Sequence, residues 1–382
     1  MSKEPDAGGG DAFRCFTAGG SGELRVVRDE RFAVVLHSDR EVARLETARD
    51  GGVLRLRLAD GARHGDGEMI RAVLAALEAL FAQDTGATHA VLEGAAWDGM
   101  AEALTRRGIA LSGDAGGLRV LPEMLWQLPD LWLPLPEQSP FPQHYVMSAG
   151  KRHPRRAPKP EGLVYSRYIP WLRQVFTFRA VDVEADLPTF NRWMNDPRVD
   201  YFWNEAGDLA KHRAYLSGLA ADPHMLTLLG CLDGVPFCYF EVYWAKENRL
   251  APFYDVDDYD RGWHVVVGED GYRGRDYVAT WLPCLMHYML LDDPRTQRIV
   301  GEPRADHAQQ IRNLERSGFA SVKEFDFPHK RAMLVMLLRE RYFGERLWIP
   351  RRPEAAAPAR TAPSAQTAAN SSPTPAMTGG IA

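Results

Sequence analysis

One histidine on a β-branched strand, His264, and the glycine- and arginine-rich turn after it are the side chains in this sequence best suited to chemistry. In the stretch RGWHVVVGEDGYRGRD, residues 261–276, the run Val265, Val266, Val267 predicts a buried strand and the apolar residues after Asp276 predict a helix, so the whole reads as strand, turn, helix. At such a junction the first helical N–H groups have no intrahelical partner and sit at the positive end of the macrodipole, which suits a phosphate. Gly271 and Gly274 let the backbone approach an anion, and Arg273 and Arg275 add charge. An imidazole with its ordinary pKa of about 6.5 is matched to proton transfer near neutrality. A strand histidine is also a common hydrogen-bonded core residue, and a glycine-arginine turn is often only a turn.

The surrounding elements must position these groups. After the turn, VATWLPCLMHYMLL predicts an apolar helix with Asp276 as its N-cap, and TQRIVGEP predicts a second strand. The turn RADH then opens the helix AQQIRNLERSG, with Asp306 a candidate N-cap and Gly318 a typical residue past the end. Upstream, VFTFRAV reads as a strand, Asp186 and Asp208 as the caps of two helices, and NDPRVDYFWNEAG as a loop carrying Tyr201, Phe202 and Trp203. In the strand PFCYFEVYWA, alternation puts Tyr239, Glu241 and Tyr243 on one face, a pattern that suits an ammonium or hydroxylamine group.

The motifs FRAVD (178–182), WMNDPRVDYFW (193–203), YFEVYWA (239–245), GWHVVVGED (262–270), GEPRADH (301–307) and FPHKRAML (327–334) carry a resemblance to the GNAT N-acyltransferases. The branch most resembled is the one that acylates hydroxylated amines in hydroxamate siderophore synthesis. The resemblance implies an α/β (α+β) fold in which a GNAT domain with a mixed, splayed central sheet, 176–346, follows a smaller degenerate GNAT-like domain. It implies acetyl-CoA or another short acyl-CoA as co-substrate, with no metal. Val265, Val266, Val267, Gly271, Arg273, Gly274 and Arg275 would then bind the coenzyme. His264 would be the catalytic base with Asp306 beside it, and Trp203, Tyr239, Glu241 and Tyr243 would border the acceptor. Two departures from the family pattern stand out. Gly271 and Asp276 occupy the first and last places of the phosphate motif, and His307 stands where many members carry asparagine.

The N-terminal half, 24–122, shows short strands (ELRVV, RFAVVLH, EVARLE, VLRLRL) and the helix MIRAVLAALEALFA, whose Ile70, Val73, Leu74, Leu77 and Phe81 share one face. It lacks a phosphate turn and a strand histidine, and reads as a scaffold or homodimerisation unit. The proline-rich stretch 123–175 predicts an extended connection in which Trp126, Trp132, Leu133 and Phe141 must be buried. Its basic residues Lys151, Arg152, His153, Arg155, Arg156 and Lys159 form either a solvated arm or the border of the coenzyme's 3′-phosphate site. Residues 1–23 and 347–382 are expected to be disordered.

At 382 residues with a net charge of −5, the chain has room for two cores and offers no general attraction for nucleic acid or an anionic membrane. Its four cysteines show no metal-ligand spacing, and no signal segment is apparent, so a cytoplasmic location is expected. The acceptor implied is a hydroxylated amine, N-hydroxylysine, N-hydroxyornithine or an N-hydroxydiamine. An amine monooxygenase would supply it and a siderophore synthetase would consume the product. Two rival readings are aminoglycoside or polyamine acetylation, to which the acidic run Asp255, Asp257, Asp258, Asp260 points, and a catalytically silent GNAT-like binding domain.

Overall fold

The computed structural model describes residues 12–15, 22–59, 66–113, 117–134 and 139–349. In the N-terminal sheet, β1 (Phe13–Cys15), β2 (Leu24–Arg28), β3 (Phe32–His37), β4 (Arg40–Asp50) and β5 (Val53–Leu58) run antiparallel in sequence order. Helix α1 (Asp66–Gln83) crosses over to β6 (His89–Leu92), which lies parallel to β5. Helix α2 (Ala101–Arg106) and the hairpin β7 (Leu111–Ser112) and β8 (Leu118–Val120) complete the sheet, with β8 against β6.

After α3 (Pro122–Leu125) and the hairpin β9 (Tyr145–Ser148) and β10 (Lys151–Pro154), the same plan is repeated. Strands β11 (Leu163–Ile169) and β12 (Gln174–Ala180) are followed by three helices, α4 (Val183–Met194), α5 (Pro197–Trp203) and α6 (Leu209–Ala221). Then come β13 (Met225–Leu232), β14 (Val235–Trp244) and β15 (Arg261–Val267). Helix α7 (Arg275–Asp292) crosses to the parallel strand β16 (Arg298–Gly301), and α8 (Ala308–Arg316) leads to β17 (Ala320–Phe327) and β18 (Lys330–Leu338) before α9 (Arg339–Gly344). The order β11-β12-β13-β14-β15-β16-β18-β17 matches β1-β2-β3-β4-β5-β6-β8-β7 position for position.

The two copies differ where a ligand would lie. The parallel pair β5 and β6 stays in register from Val53↔His89 to Leu56↔Leu92, so the sheet is closed. The pair β15 and β16 is joined only at Arg261↔Ile299 and Gly262↔Val300, which leaves one edge of β15 from Trp263 to Val267 without a strand neighbour. Pro303, lacking an N–H, cannot prolong the β16 ladder. The N-terminal sheet also has no helices between its second and third strands, where the C-terminal one inserts α4, α5 and α6.

Several sequence expectations change. Phe13–Cys15 is a strand inside the segment expected to be disordered. The C-terminal sheet begins at Leu163 and not at 176, because β11 pairs with β12 along its length. The folded chain continues past 346: Trp348 and Ile349 are buried, and Trp348 stacks on Trp126 with ring centroids 4.0 Å apart. The rest of the expected tail lies outside the described residues. Helix α1 buries nearly its whole circumference, and the tryptophans of the connection pack on it: Phe81 meets Trp126 edge-on at 6.4 Å and Trp132 donates to Glu78 at 2.9 Å. In that connection Trp126, Trp132 and Leu133 are buried as expected and Phe141 only half so. The stretch NDPRVDYFWNEAG contains a helix, α5, capped by the Asp196 side chain. Helix α4 is capped by Asp182, while Asp186 sits within it, buried and paired with Arg179. Asp208 caps α6 as expected. All four cysteines are free and buried. Among the described residues no helix is long and apolar enough to cross a membrane.

Candidate active site

Strand register assembles the site. In the antiparallel pair β14 and β15, Glu241 lies directly opposite His264, so their side chains share a face. In the parallel pair, Gly262 faces Val300; two residues further along each chain, on the same face, are His264 and Glu302, at the point where the strands part. Three neighbouring chains thus align Glu241, His264 and Glu302 in a row. The ring is held at both nitrogens: Nδ1 is 3.0 Å from Glu241 Oε2 and Nε2 is 3.0 Å from Glu302 Oε1.

The carboxylates are held in turn by phenols. Tyr215 and Tyr239 donate to Glu241 Oε1, and Tyr243 donates to Glu302 Oε2 at 2.8 Å. Both glutamates are buried, whereas the His264 side chain keeps 26% of its surface open to solvent. Burial alone disfavours the imidazolium, but hydrogen bonds and charge from Glu241 and Glu302 outweigh it and raise the His264 pKa to about 9. Burial likewise opposes the Glu302 carboxylate, and the His264 contact overcomes it, lowering that pKa to about 2. The ordinary value of 6.5 expected from sequence therefore does not apply. At pH 7 the ring is a cation between two anions.

Asp306 is placed differently from the expectation. Its carboxylate is on the surface, 70% exposed, in a bidentate pair with Arg304, and both His264 nitrogens are taken by the glutamates. The cap of α8 is His307, whose Nδ1 accepts from the Gln310 N–H at 3.0 Å. Tyr239 and Tyr243 share the face of Glu241 as the alternation required, but they are buried and serve the carboxylates. Trp203 packs edge-on to His264 with centroids 6.2 Å apart, while Tyr201 and Phe202, next to it on α5, are exposed. Glu302, within GEPRADH, is a site residue that the sequence reading does not identify. A glutamate after a short strand carries no local signal, and only the β15 and β16 register brings it to His264.

The turn after β15 has a backbone shape that favours glycine. Gly274, with φ of 117°, caps α7, so the first free helical N–H groups belong to Arg275, Asp276 and Tyr277. Asp276 is in the first turn of the helix and is not its cap. Gly271 and Arg275 are exposed, and Arg273 is partly engaged, donating to the Val267 carbonyl at 3.2 Å and lying 3.3 Å from Asp270. The open edge of β15 at Val265 to Val267 leads to this turn.

Two charged clusters have structural employment. In the acidic run, Asp260 is buried with Arg298 and Tyr254, Asp257 pairs with Arg298, and Asp258 lies 3.6 Å from Lys246. The basic cluster fastens the β9 and β10 hairpin: Lys151 donates to the carbonyls of Glu247 and Asn248, and Arg156 grips both oxygens of the buried Glu247. Lys159 donates to the carbonyls of Leu219, Ala220, Asp222 and Met225, four acceptors around the end of α6. His153 and His224 approach Glu247 closely enough to suggest a cation site, yet Arg156 already neutralises that carboxylate.

A model described as an acetyltransferase (GNAT) domain matches residues 182–327. The N(6)-hydroxylysine O-acetyltransferase of Escherichia coli is 45% identical over 222 residues, 58% of this chain and 70% of that protein. The chain belongs to the GNAT acetyltransferase family. Within this family it also resembles two fungal proteins. One is the N(5)-hydroxyornithine:cis-anhydromevalonyl coenzyme A-N(5)-transacylase of Beauveria bassiana, 45% identical over 204 residues, 53% of this chain and 45% of that protein. The other is the hydroxyornithine transacylase of Ajellomyces capsulatus, 39% identical over 221 residues, 55% of this chain and 50% of that protein. The match therefore spans only about half of each fungal relative. In this GNAT acetyltransferase the matched model begins at the Asp182 cap of α4 and ends with β17, so it contains Glu241, His264 and Glu302 and excludes the N-terminal sheet.

Proposed function

We propose that the protein transfers a short acyl group from acyl-CoA to the hydroxylated side-chain nitrogen of N-hydroxylysine, N-hydroxyornithine or an N-hydroxydiamine. The product is a hydroxamate for siderophore assembly in iron acquisition. The observation that carries this reading is the row Glu241, His264, Glu302 beside the unpaired edge of β15. Apart from the Val267 carbonyl, which accepts from Arg273, that edge has no strand neighbour and can receive a pantetheine arm and a thioester oxygen, and the start of α7 offers N–H groups to a pyrophosphate. A hydroxylamine is far less basic than an alkyl amine and arrives neutral, so the enzyme need only move one proton. As the N–C bond forms and the C–S bond breaks, the His264 imidazolium gives a proton to the departing sulfur, and the ring so neutralised takes up the proton that the nitrogen loses. The silent-domain reading expects His264 and Asp306 both to point away from the cleft: the ring keeps 26% of its surface open, which counts against it, whereas Asp306 does lie apart at the surface. The pairing of Asp257, Asp258 and Asp260 with Arg298 and Lys246 counts against the aminoglycoside reading.

In the cytoplasm, a monooxygenase that hydroxylates the amine would precede this step and a synthetase that joins hydroxamates to a carboxylic backbone would follow it. The names of the relatives divide between O- and N-acylation, and both atoms of a hydroxylamine are nucleophiles. The test is thiol release from acetyl-CoA or succinyl-CoA with N6-hydroxylysine, with lysine and with an aminoglycoside, followed by addition of ferric ion. A hydroxamate gives a coloured iron complex and an O-acyl product does not. Turnover of lysine but not of the hydroxylated acceptor, or a colourless product, overturns the reading. His264→Ala should lower kcat by about 10² to 10⁴ while calorimetric binding of CoA is retained.

A further inference from the structure

Among the described residues, the arginine beside Glu302, Arg249, has that carboxylate as an ion-pair partner but no side-chain hydrogen bond. The Arg249 guanidinium comes no nearer than 3.8 Å to Glu302 Oε1, outside hydrogen-bond range, and its carbon lies 5.5 Å from the centroid of the Phe327 ring. The nearby cations are engaged elsewhere: Lys330 donates to the Glu302 carbonyl at 2.7 Å and Arg304 is paired with Asp306. Arg249 is 52% exposed, yet it is close enough to the buried hydroxyls of Tyr215 and Tyr243, the phenols that hold Glu241 and Glu302, to oppose the upward pull on both.

The local charge balance gives this arginine a purpose. The two carboxylates of the row are already matched by the His264 imidazolium and the Lys330 ammonium, so with Arg249, 3.8 Å from Glu302 Oε1, three cations face two anions. A polycationic acceptor would meet repulsion there. An acceptor carrying a carboxylate would find a planar fork of free N–H donors that matches it bidentately. The spacing also fits. The guanidinium is 3.8 Å from Glu302 Oε1, and the same oxygen is 3.0 Å from His264 Nε2. The two groups are thus separated by at most about 7 Å, a distance that an ornithine or lysine side chain, which when extended puts roughly 6–8 Å between its terminal nitrogen and its carboxylate, can span.

Building on the function proposed above, we infer that Arg249 is a specificity residue that anchors the acceptor's α-carboxylate, so that the substrate is an N-hydroxylated amino acid and not an N-hydroxydiamine. The experiment compares kcat/KM for N6-hydroxylysine, for its carboxamide and for N-hydroxy-1,5-diaminopentane, which lacks the carboxylate. It uses the full-length enzyme and the variants Arg249→Met and Arg249→Lys. The wild type should favour the amino acid over both other acceptors by about tenfold or more. Arg249→Met should reduce that ratio at least tenfold, mainly through KM, and Arg249→Lys should restore part of it. A residue that merely supports the fold would lower all three acceptors in proportion and leave the ratio alone. Turnover with an unchanged ratio, or a wild type that prefers the diamine, overturns the assignment of Arg249 alone. Absence of turnover with every hydroxylated acceptor overturns the proposed function and this inference with it.

Discussion

Replacing Glu302 by glutamine removes one of the two charges that hold the His264 proton and keeps the side-chain shape. The two glutamates, each 3.0 Å from a ring nitrogen, raise the imidazole from 6.5 to about 9 against an opposing burial effect. That net rise corresponds to about 3 kcal/mol, and because the pair must also offset burial, the two carboxylates supply on average at least about half of it each. The variant should therefore hold the proton less tightly by about 1.5 kcal/mol or more, and its alkaline limb should move down by at least about one pH unit. In the wild type, kcat/KM should hold through neutrality and fall as pH rises through about 9, where the row loses the proton it passes to sulfur. Stability should follow the same direction. A histidine whose pKa is raised on folding contributes fully below its unfolded value of about 6.5, and the contribution fades as pH climbs through the folded one. Thiol-release rates from pH 6 to 10, together with an NMR titration of the His264 ring nitrogens, measure both effects. A limb and a ring titration that stay in place in Glu302→Gln would refute the argument that this carboxylate sets the proton affinity.

Other substitutions probe the placement of the remaining parts. Asp306→Asn should leave kcat within about threefold of wild type, because the carboxylate is paired with Arg304 at the surface and an exposed pair contributes little; a loss of a hundredfold would put Asp306 back in the mechanism. Gly268→Ala should lower the melting temperature and slow turnover, because a Cβ there would lie 2.1 Å from the Trp193 ring, and overpacking of this kind costs about 1–3 kcal/mol. An unchanged melting curve would show that α4 yields to the end of β15 without strain.

What could be read from the chain by itself was local and periodic. Alternation in PFCYFEVYWA put Tyr239, Glu241 and Tyr243 on one face, and a β-branched run ahead of a glycine-arginine turn located His264 and the start of a helix. These patterns hold because side-chain direction along a strand and the backbone freedom of glycine are set by neighbours one or two residues away. Helix caps were legible only approximately. Asp182, Gly274 and His307 took the places expected of Asp186, Asp276 and Asp306, since several nearby side chains can satisfy the same N–H groups and packing chooses among them.

The tertiary structure alone decided which residues meet His264. Its partners lie 23 and 38 residues away, Glu241 on the strand to one side and Glu302 just past the end of the strand to the other, and strand register, which no short segment specifies, brought all three into one row. The ring's proton affinity was settled with that register, because two buried carboxylates at hydrogen-bond distance outweigh the burial that would otherwise have kept the imidazole neutral.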